Sequence, residues 1–497
     1  MRMASVLLTI ISISIFSNIG QSAFGKSSFI LSYGGSYVDK AYDVKQTNDK
    51  GFIVLGSTTS FGFGSYDILI LKFDESGKFQ LGKDLGYSYF DIGSCVLQTA
   101  DSGYIVGGIT DNFGTSDDIL LIKLNYKGEL EWTKTIGGEK GEYISSIRKT
   151  IDGGFILIGD TKSYGAGDTD FFLIKLDNSF NIEWSKAIGG KSKDYTESGR
   201  QTLDEGFIIT GSTYTYGAGS MDTLLIKCNK LGDIEWAKTI GGTSEDHVFS
   251  VIQTFNGDFI VSTIYCDNMC KVLLTKFDNS GKFQWSKQTD GFGTPYYKSG
   301  FELTSDGGFV LAGYYGEDPG DIYFIKYDNL ANIEFSKRIG GEGMDYGNAV
   351  QQLDDGGYII AGSTTDEVLQ KQVLLIKTDI NGEIEGCDYV KSELSTAISV
   401  TPTIITVNPL SESPTLTFQE QSIRKYSLSA EATSLLCSLQ SDDVKEDFGL
   451  EDVIISLQIC SGKSEIEHFK DTNDDNKINF EDIIFMLKSI SSKILTK

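Results

Sequence analysis

The sequence predicts an all-β fold, a seven-bladed β-propeller of four-stranded blades, with a small α-helical module after it. Three observations predict it. A turn glycine recurs at Gly51, Gly103, Gly154, Gly206, Gly257, Gly308 and Gly357, at roughly the fifty-residue period of a propeller blade. Each copy holds short apolar runs bounded by Gly and Asp, the signature of strands. Glycine is abundant (56) and proline scarce (5), as many tight turns require.

Residues 1–25 read as a secretory signal peptide. Arg2 gives the basic start, Val6–Phe16 the apolar run and Ala23-Phe24-Gly25 the small-residue cleavage site. The run is short for a bilayer span, and no second one follows. The chain is therefore expected to be secreted or held at the cell surface, in the periplasm as a further option, with no membrane span once the signal is removed.

Residues 26–390 form the ring. The third copy displays the unit: Ser145–Thr150, then Asp152-Gly153-Gly154-Phe155-Ile156-Leu157-Ile158-Gly159, then Ser163–Asp170, Phe171–Asp177, and Ile182-Glu183-Trp184-Ser185-Lys186. These segments read as strands a to d from the axis outward. Strand c carries one lysine per copy: Lys72, Lys123, Lys175, Lys227, Lys276, Lys326 and Lys377. Pairing with strand-d acids such as Glu131, Glu183, Glu235 and Glu334 is the expected role. The seventh copy lacks a good strand d, because Gly386 occupies the aromatic slot. Phe29 in Phe29-Ile30-Leu31-Ser32-Tyr33 fits that slot, so residues 28–33 are expected to close the ring and hide its edge.

Two acidic positions recur. One opens strand c: Asp67, Asp118, Asp170, Asp222 and Asp321. The other lies in the d-to-a connection: Asp39, Asp91, Glu142, Asp194, Asp246 and Asp345. Both emerge on one face, beside the loop aromatics Phe61, Phe113, Tyr164, Tyr216 and Tyr315. One reading is a sugar or cation site, since aromatic faces stack on sugars and carboxylates accept hydroxyls or bind metal. The other is that each acid caps a turn and each ring packs its own loop. Copies five and seven break the pattern at Cys266–Lys271 and Asp366–Gln372.

The net charge of −26 excludes nucleic acid as a partner, because phosphate is repelled. Two histidines and five arginines leave little material for a histidine-centred triad, a zinc site or an arginine clamp. Of seven cysteines, Cys95, Cys228 and Cys460 occupy small or apolar slots and read as buried thiols. Cys266 with Cys270, and Cys387 with Cys437, are the expected disulfides.

Residues 391–439 are rich in Ser and Thr and hold Pro402, Pro409 and Pro414. They read as a semi-extended linker with some strand. In residues 440–497, the run Asp471-Thr472-Asn473-Asp474-Asp475-Asn476-Lys477-Ile478-Asn479-Phe480-Glu481-Asp482 is a calcium loop of EF-hand type. Asp471, Asn473, Asp475 and Asp482 supply hard oxygen ligands and Lys477 its backbone carbonyl. The helix after it, from Phe480-Glu481-Asp482-Ile483, has a duplicate at Leu450-Glu451-Asp452-Val453, whose preceding loop is degraded. These tandem loop–helix units resemble a type I dockerin. The resemblance implies bound Ca2+ and docking onto a cohesin-like domain of another protein. The alternative is a calcium-stabilised cap without such a partner. The Asp-Gly-Gly-Phe repeats themselves resemble those of large secreted bacterial proteins.

Two functions are expected on these grounds. The first is a non-enzymatic binding or scaffold protein, with a carbohydrate or protein ligand on the loop face and a dockerin-like attachment module. The alternative is an extracellular polysaccharide-degrading hydrolase or lyase, which requires two carboxylates at catalytic separation within a cleft.

Overall fold

A computed structural model describes residues 28–437 apart from 63–64, 88–89, 112–115, 268, 290–299, 316–319, 342, 366–370, 388, 393–396, 401–402, 408, 413–415, 417–418, 421–423 and 429–432. The signal segment and the calcium module, including Cys460, lie outside the described residues, as do Phe113 and Asp366–Gln370.

The third blade shows how a unit folds. Its four strands are β10 (Glu142–Lys149), β11 (Phe155–Thr161), β12 (Asp170–Leu176) and β13 (Ile182–Gly189). Each pairs antiparallel with the next. The middle two are buried along their whole length, so both sheet faces are covered and near-continuous apolar runs result. Seven such sheets stand in order around an axis.

Between neighbouring blades lies one apolar cluster, and there are seven clusters. The strand-d aromatic of one blade packs on the first strand-b aromatic of the next, as Trp184 does on Phe207 at 5.5 Å and Trp236 on Phe259 at 5.8 Å. The strand β1 (Phe29–Tyr33) repeats this at the seam. It pairs with β28 (Gln372–Thr378), with Phe29 opposite Lys377. Phe29 then meets Phe52 of the first blade at 6.1 Å. Alternation along β1 sends Phe29, Leu31 and Tyr33 into the interface with the first blade and Ile30 into the one with the sixth.

The strand-c lysines are held by more than the expected strand-d acids. Lys227 Nζ donates to Glu235 at 2.9 Å, to the Cys228 carbonyl at 3.0 Å and to Asp204 of the strand a–b turn at 3.0 Å. Three partners satisfy the three donors of an ammonium. The turn acid recurs as a partner in five other blades, from Asp49 with Lys72 to Asp355 with Lys377, and in the fifth, where Asn256 takes its slot, Asp258 pairs with Lys276 instead.

The strands described between Val390 and Cys437, nearly all within the span 391–439 expected as a linker, are part of the ring. They add a fifth, outermost strand to every blade. β29 (Val390–Ser392) pairs with β25 (Ile333–Ile339), β30 (Ala397–Val400) with β21 (Phe283–Thr289), and β31 (Thr403–Thr406) with β17 (Ile234–Gly241). β32 (Leu410–Glu412) pairs with β13, β33 (Gln419–Glu420) with β9 (Leu130–Ile136), and β34 (Arg424–Leu428) with β5 (Phe79–Gly86). Finally β35 (Thr433–Cys437) pairs with β1. The segment thus circles the ring once, from the sixth blade back through the first to the seventh.

The reason is edge chemistry. Strand d would otherwise present a row of unpaired N–H and C=O groups. Thr, Ile and Val suit a strand, and Pro402, Pro409 and Pro414 fall between the added strands in the sequence. Val390, Val400, Ile404, Val407 and Leu416 rest on the interblade clusters.

Candidate functional site

The recurring acids of the loop face are engaged in the fold. In the d-to-a connections, Asp39 accepts from Gly35 N at 2.8 Å, from Ser60 Oγ at 2.7 Å and from Thr58. Glu142 accepts from Gly138 N at 2.6 Å and Thr161 Oγ1 at 2.9 Å. Asp194 accepts from Gly190 N at 2.7 Å, Thr215 Oγ1 at 3.0 Å and Thr213. Asp91, Asp246 and Asp345 each cap the N–H four residues earlier. Among the strand-c acids, Asp170 caps Gly167 N at 3.0 Å, and Asp222 caps Ala218 N at 2.9 Å and Gly219 N at 3.0 Å. Asp321 pairs with Arg338. Asp67 is buried and Asp118 half-buried.

The two rings interlock across glycines. The glycine that ends strand d, at Gly86, Gly189 and Gly241, or directly follows it, at Gly340, lies between the strand-c acid of its own blade and the connection acid of the next. The pairs are Asp67 with Asp91, Asp170 with Asp194, Asp222 with Asp246, and Asp321 with Asp345. Burial together with a neighbouring carboxylate pushes Asp91, Asp118 and Asp345 up to about 6. At the seam, Gln372 takes the strand-c slot and donates to Gly35 O at 2.9 Å.

The loop aromatics are packed as well. Tyr33 and Phe61 lie at 6.3 Å, Tyr164 stacks on Phe172 at 5.9 Å, and Tyr216 donates to Gly189 O at 3.0 Å. The side chain of Tyr315 lies outside the described residues, as do those of Cys266, Cys270 and Cys437.

The axis carries chemistry that the repeat alignment passed over. Strand a has a β-bulge in six of the blades, for example between Ala41 and Asp43 and between Thr196 and Ser198. Bulges re-aim side chains. Beyond the bulge, one register position opposes the second residue of strand b in every blade. It holds Lys45, Leu97, Arg148, Arg200, Ile252, Glu302 and Gln351 in turn. Blades three, four and six thereby bring two guanidinium groups to one carboxylate. Arg148 Nη2 lies 3.3 Å from Glu302 Oε1, and Arg200 Nη1 lies 3.4 Å from Glu302 Oε2. Burial alone would raise the Glu302 carboxyl, but Arg200, Arg148 and Lys45 outweigh it and hold it at about 2. A cavity of about 60 Å³ opens here, lined by Lys45, Ser146, Arg148, Ser198, Ser250 and Glu302 among others. The signal available in the sequence was that this position varies from copy to copy, with charged residues in four of the seven.

The bulge end of strand a carries a second group, one residue after each connection acid. Tyr143 Oη donates to Asp117 at 2.6 Å and accepts from Lys162 at 3.0 Å. Opposite Tyr143 in the ladder, Asp160 accepts from Thr196 N at 2.5 Å, and burial pushes its carboxyl up to about 8. In the seventh blade Tyr346 stacks on Tyr314 at 4.8 Å and lies under Lys371 at 4.3 Å. Among the described residues no group of three His, Cys, Asp or Glu side chains could hold a metal ion.

No family model matches the chain, and no curated protein matches it. Solved structures do. An ulvan lyase, a polysaccharide lyase bound to its oligosaccharide, is 11% identical with a TM-score of 0.45, over 72% of this chain and 96% of that one. Puromycin hydrolase is 11% identical with a TM-score of 0.42, over 71% of this chain and 55% of that one. A protein of unknown function from Dyadobacter fermentans is 10% identical with a TM-score of 0.40, over 71% and 98%. The fold assignment accordingly stands on the seven sheets, their register and the seven interblade clusters.

Proposed function

We propose that this protein is a secreted, non-enzymatic binding and attachment scaffold. The ring presents its loop face to a carbohydrate or protein ligand, and the C-terminal dockerin-like module, loaded with Ca2+, attaches it to a cohesin-like domain or another surface partner. One observation carries the non-enzymatic reading. The recurring acids that made a hydrolase or lyase attractive are spent on turn caps and interblade contacts, with Asp39, Asp91, Glu142, Asp170 and Asp194 fully buried. Glycosidic catalysis needs two carboxylates facing substrate across a cleft.

The attachment reading rests on Asp471, Asn473, Asp475, Lys477 and Asp482, whose oxygen donors suit a hard cation. The ring-bound segment 390–437 supports it, because the module would then leave from a fixed point at the seventh blade. The same reading includes the two disulfides of a secreted chain. Cys266 and Cys270 are direct partners in the β19 (Phe259–Asp267) to β20 (Met269–Phe277) ladder, a separation a disulfide spans. Cys387 packs in the cluster that contains Ile30, and Ile30 opposes Cys437.

The test is incubation of the full chain, with and without calcium, on a panel of polysaccharides. Retention without release of reducing or unsaturated ends is expected. Release of such ends in proportion to protein would overturn the non-enzymatic reading.

A further inference from the structure

We propose that the axial cavity of the ring is a binding site for one small oxyanion, of the size of acetate, phosphate or sulfate, held by Arg148 and Arg200 beside Lys45. Two independent features point there. The first is unsatisfied donors. Arg148 Nε, Arg200 Nε and Arg200 Nη2 are shielded from solvent with no protein acceptor, and Ser146 Oγ in the same channel is in the same condition. A guanidinium is a fork of five donors built for planar bidentate acceptors. Here it meets one carboxylate at 3.3 and 3.4 Å, longer than the 2.7–2.9 Å expected of close charge-assisted bonds. Buried charged donors without an acceptor are costly, and an oxyanion would supply several acceptors at once.

The second feature is the balance of charge and space. In this layer Lys45, Arg148 and Arg200 face Asp43 and Glu302, and Lys45 is bonded to Asp43 at 2.5 Å. Three cations are gathered in one layer against the acids Asp43, Glu197 and Glu302 that also line the cavity, inside a chain of net charge −26. A cavity of about 60 Å³ holds a few waters or one small oxyanion. The hydroxyls of Ser198 and Ser250, bonded to each other at 2.9 Å, stand by as rotatable donors. The position recurs in all seven blades, yet basic residues occupy it in three, so the repeat alone does not demand them.

The experiment is calorimetric titration of the full chain with acetate, phosphate and sulfate in turn, at ionic strength held constant with chloride. Saturable binding of one anion per chain is expected, and the three arms show which geometry the site prefers. Arg200→Gln should weaken binding about tenfold or more, as loss of charge-assisted donors does. Glu302→Gln should tighten it, because the competing carboxylate is gone. Arg200→Lys keeps the charge and loses the fork, so it should also weaken binding, and it serves where the glutamine variant does not fold. Absence of saturable binding in the parent chain would mean that water alone fills the cavity and would overturn the proposal. So would equal affinity in the parent and the Arg200→Lys chain, or weaker binding in Glu302→Gln. None of these results bears on the scaffold reading, which depends on the loop face and the tail.

Discussion

Ile30 and Cys437 stand opposite one another in the last strand pair of the ring. The segment that leaves the seventh blade beside Cys387 has by then laid a strand on each of the other six blades. The ring is therefore closed twice, once by β1 in the strand-d slot and once by a girdle outside it. Removing residues 390–497 should expose seven strand-d edges. We expect the thermal midpoint to fall by about 5 °C or more, since each lost kcal/mol shifts a ring of this size by roughly 1–2 °C, with aggregation at the exposed edges. An unchanged midpoint would mean that the girdle contributes nothing to the ring.

A bond between Cys387 and Cys437 would buckle this girdle. Peptide mapping under non-reducing conditions should recover the two joined. Cys437→Ser should lower the midpoint and speed unfolding. Cys95 and Cys228 are buried, and burial pushes the Cys228 thiol up to about 12. Both should resist thiol reagents in the native protein and react on denaturation. Rapid native labelling of Cys228 would contradict the packing described.

Gly189 separates Asp170 from Asp194. A Cβ at that position would overlap Asp170 Oδ1 and lie 2.8 Å from Asp194 Oδ2. Gly189→Ala should destabilise the ring by about 2 kcal/mol through overpacking, measured by denaturant unfolding. Gly153→Ala is the comparison. Its Cβ meets nothing within 4 Å, but its φ is +84°, so any loss there reports backbone strain alone.

Stability should depend on pH in a way set by the buried acids. Asp91, Asp118 and Asp345 are pushed up to about 6 and Asp160 to about 8, chiefly by burial. Their folded values exceed the unfolded one, so the fold favours the protonated form. That contribution is complete below the unfolded value near 3.9 and is lost as pH rises through 6 to 8. For Asp101, Asp152 and Asp306, lysine and threonine bonds outweigh burial and hold the carboxyls at about 2. Their contribution is present above about 4 and lost as pH falls toward 2. The midpoint should therefore be higher at pH 5 than at pH 8, and fall again below pH 4. Asp160→Asn should flatten the slope between pH 6 and 8. A midpoint that rises from pH 5 to 8 would contradict these assignments.

The blade was legible because its cause is local. A repeated apolar run between Gly and Asp writes a strand wherever it occurs, and Phe29 fits the aromatic slot because its neighbour must be Phe52. The girdle was not legible as such. Its strands are three to five residues long or shorter, and nothing local distinguishes Thr403–Thr406 from an extended linker. What specifies them is the unpaired edge of each strand d, a property of the assembled ring. The axial cluster was missed for a related reason. Arg148, Arg200 and Glu302 are far apart in the chain, and only closure of the ring brings them together. The turn acids that hold the strand-c lysines were hidden inside the Asp-Gly-Gly motif, where turn chemistry already accounted for them.

The most direct test of the account is hydrogen exchange of the full chain, followed peptide by peptide with and without a calcium chelator. The account predicts that amides of residues 397–400, 403–406 and 424–428 are protected on the timescale of the blade strands in both conditions. It predicts that protection in residues 440–497 is present with calcium and lost with chelator. Exchange of 397–428 within seconds, as in a free linker, would contradict the girdle. Exchange in 440–497 that is indifferent to chelator would contradict the calcium-loaded attachment module.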